Sequence, residues 1–254
     1  RVRRVLQRVP LPGALPVCDG AWHHLGVTFS VAGTLTYYFD GIAVAAFAAS
    51  FSSDSSTPAY IAGSDEYQNS QGFMGVVDDV RIYKRALTAS EMVALTQPPA
   101  GYSLVSPPAP TVTPTFSPSI PLTGPLDFSL NVPCDAGNYV FPTTFPLVRF
   151  NADGLTFVAD RYGVAGAAMQ VARGSFLQFN PASSDVLPSG NGARTLAAWV
   201  KLSLGCSWGN SFSAWSVIET SSNTYQNQFV LLVSAVGMSV HVPFADKPAG
   251  AGTP

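Results

Sequence analysis

Paired carboxylates are the first chemistry to look for in this chain, because two acidic side chains at a fixed separation can hydrolyse glycosidic bonds. The sequence contains three glutamates. Glu66 lies in a polar loop segment, Glu91 at the start of a short helical segment, and Glu219 alone beside an apolar run. Because no two of them form a pair, the sequence predicts that the chain is not an enzyme.

Zinc ligation by histidine is also disfavoured. The chain has three histidines, His23, His24 and His241. His23 and His24 are neighbours on a predicted strand, where consecutive side chains point to opposite faces. They cannot share one ion, so a zinc site is not expected.

Most of the elements that would carry such residues are predicted to be strands. Residues 18–41, CDGAWHHLGVTFSVAGTLTYYFDG, hold two runs of alternating residues around an Ala-Gly turn, which predicts a β-hairpin of half-buried strands. Residues 42–47 predict a third strand after the Asp40-Gly41 turn. Residues 75–83 alternate again, with Val76, Asp78, Val80 and Ile82 expected on one face.

A helix and a linker follow. Thr88 with Glu91 three residues later is a capping-box pattern, which predicts a short helix with Met92, Val93 and Leu95 on its apolar side. In residues 98–126 proline recurs every few positions between serine and threonine, and this predicts a semi-rigid, extended linker. The segment resembles the hydroxyproline-rich, sugar-bearing segments of plant and algal cell-surface glycoproteins; an unmodified linker is the alternative.

Two groups of motifs point to one family. The stretches WHHLGVTF, TLTYYFDGIAVA and GFMGVVDDVRIYKRALTASEMVAL resemble the second half of a laminin-G-like domain, of the concanavalin A-like lectin and glucanase superfamily. The stretches LVRFNADG, DRYGVAGAAMQVARGSFLQF and ARTLAAWVKL resemble its first half. The resemblance implies an all-β fold, an antiparallel β-sandwich of the jelly-roll type. Residues 1–97 would be its C-terminal half, residues 98–126 a linker and residues 127–254 its N-terminal half.

The two halves therefore stand in reversed order, which leaves two explanations. The chain is either cut from a longer protein with tandem domains, or its halves complete each other. Completion would occur within one chain, as a circular permutation, or between neighbouring copies. An isolated half would expose unpaired strand edges, which favours aggregation.

The resemblance implies a calcium site of hard oxygen ligands, because some laminin-G-like domains hold calcium through aspartates. The candidates are Asp78, Asp79, Asp153 and Asp160. The alternative is that Asp78 and Asp79 hold loops by accepting backbone N–H groups.

Aromatic rings in polar loop segments could stack on a sugar. The candidates are Trp208, Trp215, Tyr225 and Tyr67, whereas Trp22, Trp199, Tyr37 and Phe39 on alternating strands are expected in the core.

The three cysteines, Cys18, Cys134 and Cys206, contain no CxxC pair. In a secreted protein this odd number indicates one disulfide and one thiol that pairs elsewhere. In the rejoined laminin-G-like domain, Cys18 and Cys206 would lie on loops that flank the central strands, so we expect a disulfide between them.

Composition narrows the class of protein. The formal net charge is −2, only 11% of residues are charged, and the mean hydropathy is +0.23. These values give no electrostatic reason to expect nucleic acid as a partner, and no apolar run approaches the ~18 residues of a membrane span. Because the first residue is Arg and no signal peptide is evident, we expect part of a longer chain.

We therefore expect a non-catalytic, structural or adhesive module of an extracellular filament, coat or cell-surface glycoprotein, such as a mastigoneme-like assembly. Its partners would be copies of itself or neighbouring domains, with glycans possible. The alternative is a carbohydrate-binding module of a larger secreted protein.

Overall fold

The computed structural model describes residues 7–8, 15–50, 59–63, 73–98, 134–135, 138–139, 147–150, 155–172, 174–179, 191–203, 214–220, 229–234 and 237–242. These residues form sixteen strands and one helix, α1 (Ala89–Thr96). The strands are β1 (Gln7–Arg8), β2 (Trp22–Phe29), β3 (Thr34–Phe39), β4 (Ile42–Ala48), β5 (Ala59–Ile61), β6 (Gly75–Tyr83), β7 (Cys134–Asp135), β8 (Asn138–Tyr139), β9 (Leu147–Phe150), β10 (Leu155–Val158), β11 (Ala168–Val171), β12 (Leu177–Phe179), β13 (Arg194–Lys201), β14 (Ala214–Thr220), β15 (Phe229–Ser234) and β16 (Gly237–Val242).

Fourteen of these strands form two antiparallel sheets of seven strands each. The front sheet has the order β10-β11-β6-β13-β2-β3-β4, and the back sheet has the order β1-β16-β15-β14-β5-β12-β9. The short strands β7 and β8 pair with each other. The predicted all-β, antiparallel sandwich is confirmed.

The core lies between the two sheets. In β2 and β13 every second residue points inward, so Leu25, Val27, Leu196 and Ala198 are fully buried. They belong to one apolar cluster with residues of the back sheet such as Ile218. Burial of each large apolar side chain stabilises the fold by about 1.5–3 kcal/mol. The alternation predicted for β2 is confirmed.

The chain's two parts interleave in both sheets. We call residues 7–98 the first part and residues 134–242 the second part. In the front sheet, β13 of the second part lies between β2 and β6 of the first, with Arg194 opposite Phe29 and Lys201 opposite Trp22. In the back sheet, β5 of the first part lies between β12 and β14 of the second. Completion within one chain is therefore the arrangement in this structure, while the boundaries at residues 97 and 127 stay predictions.

The outer face of the front sheet is also covered, which differs from the half-buried strands that the sequence predicts. In β2 every residue after Trp22 is buried. Helix α1 packs its Met92 and Leu95 onto this face, against Tyr83 and Ala197. Val93, predicted on the apolar side of the helix, is instead 46% exposed.

Strand β6 departs from the predicted alternation at its two aspartates. A bulge opposite residues 197–199 of β13 shifts the register there, and Asp79 has a positive φ of 46°. Val77 and Val80 consequently both point into the core, where strict alternation would place them on opposite faces. The extra residue turns Asp78 towards the outer face, and it is 7% exposed.

Several predicted features lie outside the described residues. These are most of the linker (residues 99–126), Glu66, Asp153, Cys206, Tyr67, Trp208 and Tyr225. Among the helices of the described part, none has the length and apolar character needed to cross a membrane.

Candidate functional site

Polar side chains form a row across three strands on the outer face of the front sheet. Trp199 of β13 lies opposite His24 of β2 on one side and opposite Asp78 of β6 on the other. The rings of His24 and Trp199 meet edge to face, with centroids 5.4 Å apart. We call His24, Asp78, Asp79, Arg161 and Trp199 the outer-face cluster.

Arg161 reaches this row from the turn between β10 and β11. Asp160 shapes the turn, because its Oδ1 accepts hydrogen bonds from the backbone N–H groups of Tyr162 and Val164, both at 2.8 Å. Gly163 adopts a positive φ of 84° in the same turn, a conformation that glycine tolerates at little cost. The turn therefore fixes the position from which the Arg161 side chain extends.

The guanidinium of Arg161 bridges two carboxylates and stacks against two rings. Its Nη1 and Nη2 atoms each donate at 2.5 Å, to Oδ2 of Asp78 and Oδ2 of Asp79 respectively. Its Cζ lies 4.4 Å from the ring centroid of Tyr162 and 4.8 Å from that of Trp199. A planar, delocalised cation suits both kinds of contact. The side chain is only 8% exposed, so it acts as a buried cross-link between the two parts.

Burial shifts the ionisation of two members of the cluster. It raises the pKa of Asp78 to about 7; the nearby Asp79 carboxylate adds to this effect and Arg161 opposes it. It lowers the pKa of His24 to about 3, with the positive charges of Arg81 and Arg161 contributing. The Nδ1 atom of His24 has no hydrogen-bond partner among the described residues, which agrees with a neutral ring.

The predicted calcium ligands are only partly brought together. Asp78 and Asp79 lie side by side, but both hold Arg161, and Oδ1 of Asp160 accepts two backbone N–H groups of its own turn. Asp153 lies outside the described residues. Within the described part of the chain, no group of three or more histidine, cysteine or acidic side chains could hold a metal ion. The calcium site stays a prediction that the described aspartates do not support.

A second polar contact joins the start of β2 to the turn after β3. His23 Nδ1 lies 2.9 Å from Asp40 Oδ2, and its Nε2 lies 3.1 Å from Asp19 Oδ1. The other oxygen of Asp40 accepts a hydrogen bond from the His24 backbone at 2.8 Å. A hydrogen bond from the Ala21 backbone and the contact with His23 hold the pKa of Asp19 below its usual value. Because both ring nitrogens of His23 are engaged, the ring has none left to activate a nucleophile.

The remaining predicted residues have mixed placements. Glu91 completes the capping box of α1: its backbone N–H donates to Thr88 Oγ1 at 3.3 Å, and its Oε2 accepts from the Thr88 backbone at 2.8 Å. Trp215, predicted in a loop, lies in strand β14, and Glu219 lies in the same strand. Cys18 is disulfide-bonded, but the side chains of both other cysteines lie outside the described part, so the pairing with Cys206 stays a prediction.

Sequence reasoning missed Arg161, and it placed Trp199 in the core rather than on the outer face. The sequence does contain one sign of a buried cation, namely the two adjacent aspartates in an apolar strand, because two buried carboxylates need a positive charge beside them. Arg161 is 83 positions from Asp78 in the sequence, so no local spacing connects them.

Comparison with known proteins supports the resemblance for the first part. Residues 7–93 match the sequence model of a laminin-G family, described as the concanavalin A-like lectin/glucanases superfamily. No curated protein matched the chain, and no solved structure matched it. The matched residues hold β1 to β6 and the first five residues of α1. Residues 7–93 thus carry a laminin-G-like sequence, and the antiparallel sandwich fits the fold of that family.

Proposed function

We propose that this chain is a non-catalytic structural or adhesive module of an extracellular filament, coat or cell-surface glycoprotein, of which a mastigoneme-like assembly is one form. The match of residues 7–93 to a laminin-G family supports a carbohydrate-binding or adhesive module. The observation that carries the non-catalytic reading is the state of the described carboxylates.

Six acidic residues of the described part have side chains whose contacts the structure gives, and each of the six is engaged in a structural contact; the side chains of Asp135 and Glu219 are not described. Asp19 and Asp40 hold His23, and Asp78 and Asp79 hold Arg161. Asp160 caps its turn, and Glu91 caps α1 while it pairs with Arg85. General acid–base catalysis needs a carboxyl group that can reach a substrate proton. These contacts leave none of the six free for that role.

Composition supports copies of the chain, or neighbouring domains, as the partners. With 11% charged residues and a net charge of −2, little electrostatic repulsion opposes association. The proline-rich linker, read from the sequence, fits a surface glycoprotein. These features favour assembly over recognition of a charged macromolecule.

A carbohydrate-binding module of a larger secreted protein is the second candidate, because the matched family includes lectins. The two functions differ in a direct experiment. The folded chain is passed over a panel of immobilised polysaccharides, its mass in solution is measured, and an antibody against it is applied to intact cells that make it.

Surface labelling, self-association and no retention on any glycan support the structural module. Retention by one glycan, competed by its soluble form, supports the binding module instead. A reducing-sugar assay on the same polysaccharides tests whether the chain is a glycosidase. Sugar release above that of a heat-denatured sample would contradict both proposals.

A further inference from the structure

Neither part of the chain supplies all the strands of either sheet. In the front sheet the first part supplies β6, β2, β3 and β4, but the strand between β6 and β2 is β13 of the second part. In the back sheet the second part supplies every strand except β1 and β5, and β5 separates β12 from β14. Each part therefore has a gap one strand wide that only the other part fills.

The fit between the parts is specific in register. Strand β13 pairs with β2 over eight consecutive residue pairs, from Arg194 opposite Phe29 to Lys201 opposite Trp22. On its other side it pairs with β6 around the bulge at the two aspartates. A shift of one residue would turn the buried side chains of β13 to the wrong face.

Side chains add to the backbone pairing. Arg161 of the second part holds Asp78 and Asp79 of the first. The hydroxyl of Thr195 accepts a hydrogen bond from the Leu87 backbone at 2.9 Å and donates one to the Arg85 carbonyl at 2.8 Å. These contacts depend on the presence of a complementary part, not on its belonging to the same molecule.

The connection between the parts is long enough to reach another molecule. Residues 99–133 separate the described ends of the two parts. The linker predicted for residues 98–126 would reach about 90 Å in polyproline geometry, at about 3.1 Å per residue. A compact domain of this size has a radius of gyration of about 18 Å. The connection can therefore exceed the width of the sandwich.

We propose that copies of this chain exchange parts, so that residues 1–97 of one copy form a sandwich with residues 127–254 of the next. The interface in the assembly is then the same strand pairing that closes the single chain. This inference rests on the proposed structural function and deepens it, because exchange that does not close on two copies produces an open filament.

The test uses full-length chains that carry lesions in different parts. Val27→Asp places a charge in the buried face of β2, and Ala198→Asp does the same in β13; both positions are 0% exposed. An unpaired buried charge costs several kcal/mol, so we expect neither variant alone to fold into a stable sandwich. Refolded together, the intact first part of one and the intact second part of the other complete each other.

The expected result is a soluble 1:1 complex of the two variants, isolated through different affinity tags, in which the one sandwich without a lesion unfolds with a wild-type transition while the two parts that carry the lesions do not. The matched control mixes Ala198→Asp with Leu196→Asp, both in β13 and both fully buried; it contains no intact second part and should not recover. No recovery in the first mixture, or equal recovery in the control, would overturn the proposal.

Wild-type copies provide the second readout. Two differently tagged wild-type chains, refolded together, should co-purify, with a mass that is a multiple of 26.7 kDa. Chains that stay single at every concentration overturn the exchange even if the variants complement. If such chains are still detected at the cell surface, the proposed structural function remains supported although the exchange is excluded. Sugar release in the reducing-sugar assay would exclude the structural function, but it would not bear on the exchange of parts.

Discussion

The side-chain hydroxyl of Thr195 accepts a hydrogen bond from the backbone N–H of Leu87 at 2.9 Å, in the buried contact between α1 and the front sheet. Thr195 is 0% exposed. One hydroxyl of the second part thus satisfies a backbone donor of the first, 108 positions away.

Thr195→Val keeps the shape of the side chain and removes this acceptor. A buried donor left without a partner costs about 1–3 kcal/mol, so we expect the free energy of unfolding in urea to fall by that amount. Thr195→Ser retains the hydroxyl and should lose less than half as much. A loss in Thr195→Val no larger than that in Thr195→Ser would contradict this ranking, because the hydroxyl would then contribute no more than the methyl group that serine lacks.

Arg161→Met should be the most destabilising change on the outer face. It leaves Asp78 and Asp79 together without their shared cation, and breaking a buried pair costs about 3–5 kcal/mol. The same substitution in an Asp78→Asn, Asp79→Asn background removes the uncompensated charge and should cost clearly less. The four proteins are the wild type, Arg161→Met, the Asp78→Asn, Asp79→Asn variant and the variant with all three changes, and their free energies of unfolding in urea give the coupling energy. If the losses of stability add, the assigned ion pair is contradicted.

The buried imidazole of His24 predicts a loss of stability in acid. Its pKa is lowered to about 3 in the folded chain, against about 6.5 when unfolded. Between these values the unfolded state binds more protons, so this contribution to stability is complete above pH 6.5 and declines as the pH falls towards 3.

His24→Phe removes that contribution. The difference in free energy of unfolding between wild type and variant should therefore change steadily from pH 6.5 to 4, in favour of the variant at low pH. A difference that is constant over this interval would show that His24 is not buried in its neutral form.

Substitution of Gly41 is predicted to lower the stability of the fold for two separate reasons. Its φ is +80°, and an added Cβ would lie 3.1 Å from the Cα of Val93 in α1. Gly163 has a similar φ of +84° but nothing within 4 Å of such a Cβ, so it serves as the control. Gly163→Ala should cost about 1 kcal/mol, the backbone penalty alone. Gly41→Ala should cost measurably more, and an equal melting temperature for the two variants would exclude the steric contribution.

Cys18 is predicted to pair with Cys206. Proteolysis without reductant, followed by mass spectrometry, should yield one peptide that joins these two cysteines, with Cys134 open to alkylation. Reduction should lower the stability by about 3–5 kcal/mol, because the closed loop is long. A peptide that joins Cys18 to Cys134 would contradict this pairing.

The sequence predicts much of the fold and little of the outer-face cluster. The inward faces of β2 and β13 follow from a period of two that is visible in Leu25, Val27, Leu196 and Ala198. The bulge at Asp79 breaks that period without a local sign, since its positive φ depends on pairing with β13. Contacts such as that of Arg161 with Asp78 join residues 83 positions apart, and their partners are fixed only when the sheets assemble.

The interleaved order of the strands also decides how the protein must be made. Synthesis adds about 5–20 residues per second, so the roughly 100 residues between α1 and the end of β13 require about 5–20 s. During that delay β2 and β6 have emerged but lack the strand that joins them, and nascent chains on neighbouring ribosomes offer one another the missing segment. The spacing of ribosomes on the message, and any chaperone bound there, would then decide which molecule supplies β13.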